Sequence, residues 1–162
     1  MRKMIALLMV MLLLVLPAMA EEGGGFKFTA LDMEGNEVTE AIFADYEVTM
    51  VNIWATWCGY CQVEMPDFDA KYQEFGDQVH FIMLNVTDGA QETVESASAF
   101  IQENGYSFPV YYDTDMDATS SYNTTGLPVT YFIDAEGNFV AWQQGMMTAE
   151  TLQIGIDMLL SK

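Results

Sequence analysis

Cys58 and Cys61 are the only thiols of this 162-residue chain, and two residues separate them. A C-x-x-C pair can exchange a disulfide with a partner, hold a soft metal, or close a structural bridge. Its surroundings favour exchange. Trp54-Ala55-Thr56-Trp57-Cys58-Gly59-Tyr60-Cys61 leads from an apolar segment, Glu47–Ala55, into a stretch of helical character, Gly59–Phe75. Cys58 therefore falls at a helix N-terminus, where unpaired N–H groups and the positive dipole end stabilise a thiolate. It is expected to be the exposed nucleophile. Cys61, one turn further in, is expected to be the more buried resolving thiol, which attacks the mixed disulfide and releases the reduced partner. Zinc needs four ligands, and the chain offers two Cys and one His. Cu(I) would need only the two thiolates and a thioether such as Met65, so a Cu(I) metallochaperone is the alternative reading. A purely structural bridge across so short a ring would remove little chain entropy. A binding protein with an incidental dithiol is a third reading, and it requires substrate capture to survive loss of both cysteines.

Glu64 lies three residues after Cys61, on the same helical face. If buried, its carboxylate can take the Cys61 proton during resolution. If exposed, it is an ordinary early-helix acid favoured by the dipole. The spacing leaves both open. Gly126-Leu127-Pro128-Val129-Thr130 is the second constellation. A proline between a tight turn and an apolar strand suits either peptide isomer. Lying against the dithiol, such a loop would offer the Leu127 main chain to an extended substrate. His80, the single histidine, is expected to be a partly exposed strand residue without a chemical role. Asp113-Thr114-Asp115-Met116-Asp117 begins like a calcium loop, but Ala118 and Thr124 stand where Gly and Glu are required. A polar loop with Asp117 as a helix cap is expected instead. Asn85-Val86-Thr87 and Asn123-Thr124-Thr125 match glycosylation sequons, a pattern that also recurs by chance.

The elements that position these residues follow from periodicity. Strands are expected at Phe26–Leu31, Glu47–Ala55, Val79–Val86, Val110–Tyr112, Val129–Asp134 and Phe139–Gln143. Helices are expected at Gly59–Phe75, kinked near Pro66, at Gln91–Asn104 ended by Gly105, at Asp117–Tyr122 and at Thr148–Leu160. The alternation predicts an α/β domain with a mixed sheet and helices on both faces.

The chain carries 24 acidic residues against 5 basic ones, a net charge of −19. From Glu21 onward the only cations are Lys27, Lys71 and Lys162. Nucleic acid is excluded as a partner, because phosphate binding requires clustered Lys and Arg. Residues 1–20 read as an export signal. Arg2 and Lys3 precede the apolar run Met4–Leu16, and Ala18-Met19-Ala20 offers a cleavage site. The run is short for a membrane span, although an uncleaved anchor has the same pattern. Either way the domain is expected to be exported, to the periplasm or the outer face of the cytoplasmic membrane, secreted or anchored through the N-terminal segment, where disulfides are stable. Residues 21–25, Glu-Glu-Gly-Gly-Gly, are expected to form a flexible leader before a single domain at 26–162.

Val51-Asn52-Ile53-Trp54-Ala55-Thr56-Trp57-Cys58-Gly59-Tyr60-Cys61, with Glu64 and Pro66, resembles the TlpA/ResA-like exported thioredoxin-fold family. So do Gly126-Leu127-Pro128-Val129-Thr130-Tyr131-Phe132-Ile133-Asp134 and Glu136-Gly137-Asn138. The resemblance spans nearly all of the chain from Phe26. It implies a thioredoxin fold with an N-terminal β extension, and an inserted helix at Gln91–Asn104. It implies a thiol–disulfide oxidoreductase with Cys58 attacking, Cys61 resolving, Glu64 as the active-site acid and Pro128 as the cis-proline. Trp57, Tyr60, Leu127 and Pro128 would contact substrate, with no cofactor and no metal. The expected protein is a monomer acting on protein thiols and disulfides, more as reductant than oxidant. Apocytochrome c is an implied substrate and a membrane thiol-electron transporter an implied donor. Asn52 stands where cytosolic thioredoxins have a buried Asp, which leaves Glu64 as the proton carrier. Tyr60 replaces the family's usual proline, and the dipeptide between the cysteines helps set the potential. An oxidant is therefore the alternative redox direction.

Overall fold

The computed structural model describes residues 25–122 and 125–161. The expected signal segment, most of the leader and the Asn123 sequon lie outside the described residues. In chain order the elements are β1 (Thr29–Leu31), β2 (Glu37–Thr39), a 3-10 helix (Glu40–Asp45), β3 (Val48–Trp54), α1 (Gly59–Phe75), β4 (His80–Asn85), α2 (Val94–Asn104), β5 (Val110–Tyr112), α3 (Asp117–Ser121), β6 (Val129–Asp134), β7 (Phe139–Gln144) and α4 (Ala149–Leu160). The seven strands form one mixed sheet in the order β2-β1-β5-β4-β3-β6-β7. β3 and β4 pair in parallel, as do β4 and β5, while the remaining pairs are antiparallel.

All seven residues of β3 and all six of β4 are buried. These central strands are the near-continuous apolar runs of the sequence, as a sheet covered on both faces requires. α1 and α4 pack together on one face, and α4 also touches β6. On the opposite face Tyr131 meets Phe26 and Tyr122, and Phe28 meets Phe43 of the 3-10 helix. The inner side of α4 is cut to fit the sheet at Gly155. A Cβ built there would stand 2.3 Å from the Phe132 ring. Gly155→Ala is expected to destabilise the domain by about 1–3 kcal/mol through overpacking. Urea unfolding at unchanged m-value checks this.

Several boundaries differ from the periodicity. Only Thr29–Leu31 of the expected first strand joins the ladder. Phe26 and Phe28 turn into the core instead, where Phe26 stacks on Tyr122 at 4.1 Å and its N–H donates to Gly137 O. Gly25, the last leader residue, is held there too. Its carbonyl accepts from the Tyr122 hydroxyl, and a Cβ would collide with Gly137 O at 2.5 Å. The 3-10 helix was not expected, and its purpose in packing is to bury Phe43. α2 starts at Val94 because Thr93 and Ser96 close a capping box, and it ends at Gly105 with φ 70° as expected. α1 runs as one helix through Pro66, whose ring is exposed.

Two side-chain expectations are corrected. His80 is buried, stacked on Tyr46 at 4.2 Å with Nε2 3.3 Å from the Tyr111 hydroxyl. Burial holds its pKa down at about 4, against a weaker upward pull from Asp45, so it is neutral at pH 7. Alternation along a strand cannot tell a half-exposed position from one covered by a remote aromatic. Asp117 does not cap α3. Met116, at φ 57°, occupies the N-cap without a side-chain bond, and the Asp117 carboxylate accepts from Thr29 N and Ala118 N. It ties the N-terminal extension to the domain. Asp113 likewise turns inward, onto the N–H and hydroxyl of Thr119.

Candidate active site

The chain leaves β3 at Trp54, turns through Ala55-Thr56-Trp57 and enters α1 at Gly59. Cys58 is the N-cap of α1. It is bonded to Cys61, with S–S 2.11 Å and Cα–Cα 5.3 Å. The Cys58 sulfur also accepts the N–H of Cys61 at 3.2 Å. A thiolate at this atom would thus receive a backbone hydrogen bond and the positive end of a seventeen-residue helix. Cys58 keeps 6% of its surface and Cys61 none, which separates an attackable sulfur from a sheltered one.

Glu64 proves to be buried, only 1% exposed, although acids are seldom buried without partners. Asn52 Nδ2 from β3 donates to Glu64 Oε1 at 2.9 Å, and Met147 N, just before α4, donates to Oε2 at 2.8 Å. Asn52 Nδ2 also donates to Thr130 Oγ1 of β6 at 3.0 Å. Burial pushes the Glu64 pKa up to about 7, against the two hydrogen bonds that favour its ionised form, while Asp67 adds a small upward push. A carboxyl group poised near neutrality, one turn from the buried sulfur, is suited to moving a proton at physiological pH.

The Leu127–Pro128 peptide is cis. Register places it at the site, because Val129 pairs with Ile53 and Pro128 therefore lies level with Trp54 at the end of β3. The same sheet end launches α1. Pro128 is buried and Leu127 half-buried, whereas Trp57 is 49% and Tyr60 70% exposed. Val63, on the next turn, is also exposed. Trp57, Tyr60 and Val63 thus present apolar surface along the start of α1 beside a nearly buried disulfide, in a chain of net charge −19. His80 pairs with Thr49 at the opposite end of β3, away from the thiols.

Three further contributors have no sequence signal: Met147, whose contribution is a backbone N–H, and the pair Glu92 and Thr56. Glu92 is wholly buried and reaches from the loop before α2 to the N–H and hydroxyl of Thr56, at 3.0 and 2.6 Å. Asn85 Nδ2 donates to the same carboxylate at 2.8 Å, which also explains why its sequon is not a surface feature.

A family model described as the AhpC/TSA family matches residues 25–141, which include both cysteines, Asn52, Glu64, Glu92 and the Leu127–Pro128 peptide but not Met147. The chain belongs to this family. Its ResA-like character is shown by sequence relatives. It is 36% identical over 107 residues to the thiol-disulfide oxidoreductase ResA of Oceanobacillus iheyensis, covering 64% of this chain and 53% of that one. It is 30% identical over 129 residues to ResA of Bacillus subtilis, covering 79% and 64% respectively. The chain thus spans about half to two thirds of the length of these relatives. Among solved structures, StoA from Bacillus subtilis superposes with TM-score 0.68 at 23% identity, over 80% of this chain and 96% of that one. A DsbE-type thiol:disulfide interchange protein from Chlorobium tepidum gives TM-score 0.73 at 20% identity, over 85% and 96%. These likenesses establish the thioredoxin fold of this AhpC/TSA-family domain. Within that fold, α2 lies between β4 and β5, where the inserted helix was expected, and β1 and β2 form the N-terminal β extension.

Proposed function

We propose that this protein is an extracytoplasmic thiol–disulfide oxidoreductase that works mainly as a reductant of protein disulfides. The observation that carries this reading is the Cys58–Cys61 bond at the N-terminus of α1 with Glu64 buried one turn beyond it. In the reduced protein the Cys58 thiolate attacks one sulfur of a partner disulfide. The partner's other sulfur leaves as a thiolate, and a mixed disulfide joins Cys58 to the partner. Glu64 takes the proton of the Cys61 thiol, and the Cys61 thiolate attacks Cys58 Sγ. The second partner sulfur departs, and two electrons have passed to the partner. The structure shows the oxidised state, with the Cys58–Cys61 disulfide formed, and a dithiol donor must reduce that bond before the next turnover.

Trp57, Tyr60, Leu127 and Pro128 form the docking rim, with the Leu127 main chain available to an extended substrate segment. The acidic surface supports the reductant direction. Negative charge disfavours the two thiolates relative to the neutral disulfide, although salt limits this beyond about 8–10 Å. The apolar run after Arg2 and Lys3 supports export. So do two structural neighbours, an exposed lipoprotein thioredoxin of Streptococcus pneumoniae and a secreted disulfide oxidoreductase of Mycobacterium tuberculosis. No helix of the described residues is long and apolar enough to cross a membrane. Apocytochrome c with its cysteine thiols oxidised to a disulfide is the substrate class we favour, with a membrane thiol-electron transporter as donor and the protein acting as a monomer.

The test is the reduction potential of the Cys58–Cys61 pair, measured in defined thiol buffers with alkylation and mass spectrometry. A value near or below about −250 mV is expected. A value near about −120 to −150 mV would make the protein an oxidant and remove the cytochrome-linked reading.

A further inference from the structure

Glu92 is an acid that the exchange mechanism does not use, and it is wholly buried. Both of its oxygens are filled by neutral donors. Oε1 accepts from Thr56 N at 3.0 Å and from Asn85 Nδ2 at 2.8 Å, and Oε2 accepts from the Thr56 hydroxyl at 2.6 Å. A buried carboxylate is costly to desolvate, so three donors converging on it mark a constrained geometry rather than a chance contact. The loop that carries it is fixed in turn. Asp88 Oδ1 accepts the N–H groups of Ala90, Gln91 and Glu92 at 2.8, 2.8 and 2.9 Å, and Gly89 N closes on Glu92 O. Asn85 is oriented by Thr87, whose hydroxyl donates to Asn85 Oδ1.

All of this order is delivered to one residue, Thr56, two positions before the attacking cysteine. Its N–H and hydroxyl are held by Glu92, and its carbonyl accepts from Gln62 Nε2 at 2.5 Å. The turn continues directly, with Cys58 N donating to Ala55 O at 3.2 Å. The Cys58 sulfur reaches Cys61 N only if this turn delivers it to the N-cap position.

We propose that Glu92 is a positioning residue for disulfide exchange: through Thr56 it clamps the Ala55–Cys58 turn and keeps the Cys58 sulfur on the N-terminus of α1. The loop preceding the inserted helix α2 thereby becomes part of the active site's support. The inference rests on the exchange reading above, but its test needs no partner protein.

The experiment follows alkylation of Cys58 by iodoacetamide in the reduced full chain, as rate against pH, for wild type, Glu92→Gln, Glu92→Ala and Thr56→Val. The Gln amide can keep the network, with its oxygen facing Thr56 N and Asn85 Nδ2 and its NH2 donating to Thr56 Oγ1. Both Glu92 variants lose the same charge, so the difference between them isolates geometry. Glu92→Gln is expected to stay within about threefold of wild type, and Glu92→Ala to be about tenfold slower at pH 7. The inflection of Glu92→Ala should lie at least about half a pH unit above that of Glu92→Gln, because a displaced sulfur loses the helix N-terminus. Equal profiles for the two variants would overturn the proposal, since a loop tie that only stabilises the fold would lower the melting temperature and leave the Cys58 inflection alone. If Glu92→Ala does not fold, Thr56→Val decides. It keeps shape but loses the hydroxyl contact, and an unshifted inflection there also overturns the proposal. A wild type that alkylates normally yet reduces no protein disulfide would instead sink the functional reading and leave this one standing.

Discussion

Cys58→Ser is expected to abolish protein-disulfide reduction, and Cys61→Ser to arrest the reaction as a stable mixed disulfide. The asymmetry follows from the two positions. Of the two residues only Cys58 retains any exposure, and it caps the helix N-terminus, whereas Cys61 is fully buried. Without Cys58 no attacking thiolate remains at the surface. Without Cys61 the first attack proceeds but the intramolecular release, which enjoys the high effective molarity of a neighbour one turn away, does not. Turnover with a disulfide substrate and mass spectrometry of the trapped adduct check both. The adduct should form on Cys58, and full turnover in Cys58→Ser would end the exchange mechanism.

Glu64→Gln is expected to slow resolution of the mixed disulfide by about 100-fold near pH 7, the usual reach of a positioned proton acceptor. In wild type the rate should rise through about pH 7, where Glu64 ionises. In the variant that inflection should move up towards the ordinary thiol range near about pH 8.5. Stability gives an independent readout with a definite sign. The Glu64 pKa is raised from 4.5 to about 7 by burial, so the folded state holds a proton that the unfolded chain releases. Its contribution is fully present below about pH 4.5 and is lost as pH rises through about 7. The loss amounts to about 3 kcal/mol by linkage. Urea unfolding of the oxidised protein from pH 4 to 8.5 should show this slope in wild type, and a flatter one in Glu64→Gln. A parallel slope in both would return Glu64 to a bystander.

Much of the fold was legible because it rests on local patterns. The β3 and β4 runs are continuous and apolar, α1 starts directly after Cys58, and Gly105 ends α2 at a positive φ. Errors fell where a remote partner decides. Phe26 and Phe28 alternate with polar residues like a strand, but the aromatic cluster of Tyr122, Tyr131 and Phe43 draws them out of the ladder. His80 has the pattern of a strand end, yet Tyr46 and Tyr111 cover it.

The sequence by itself determined the redox pair, its place on a helix, and Glu64 on the Cys61 face. Each depends on spacings of three or four residues, which helical geometry turns into neighbours. Only the tertiary structure decided that Glu64 is buried, since that requires Asn52 from β3, Thr130 from β6 and the Met147 N–H to converge from across the chain. It also decided that Glu92 grips Thr56, a contact between residues thirty-six apart. A carboxylate has the same chemistry in any sequence. Whether it is a solvated charge, a proton carrier or a clamp depends on the donors and the water around it, and those are set when distant elements pack.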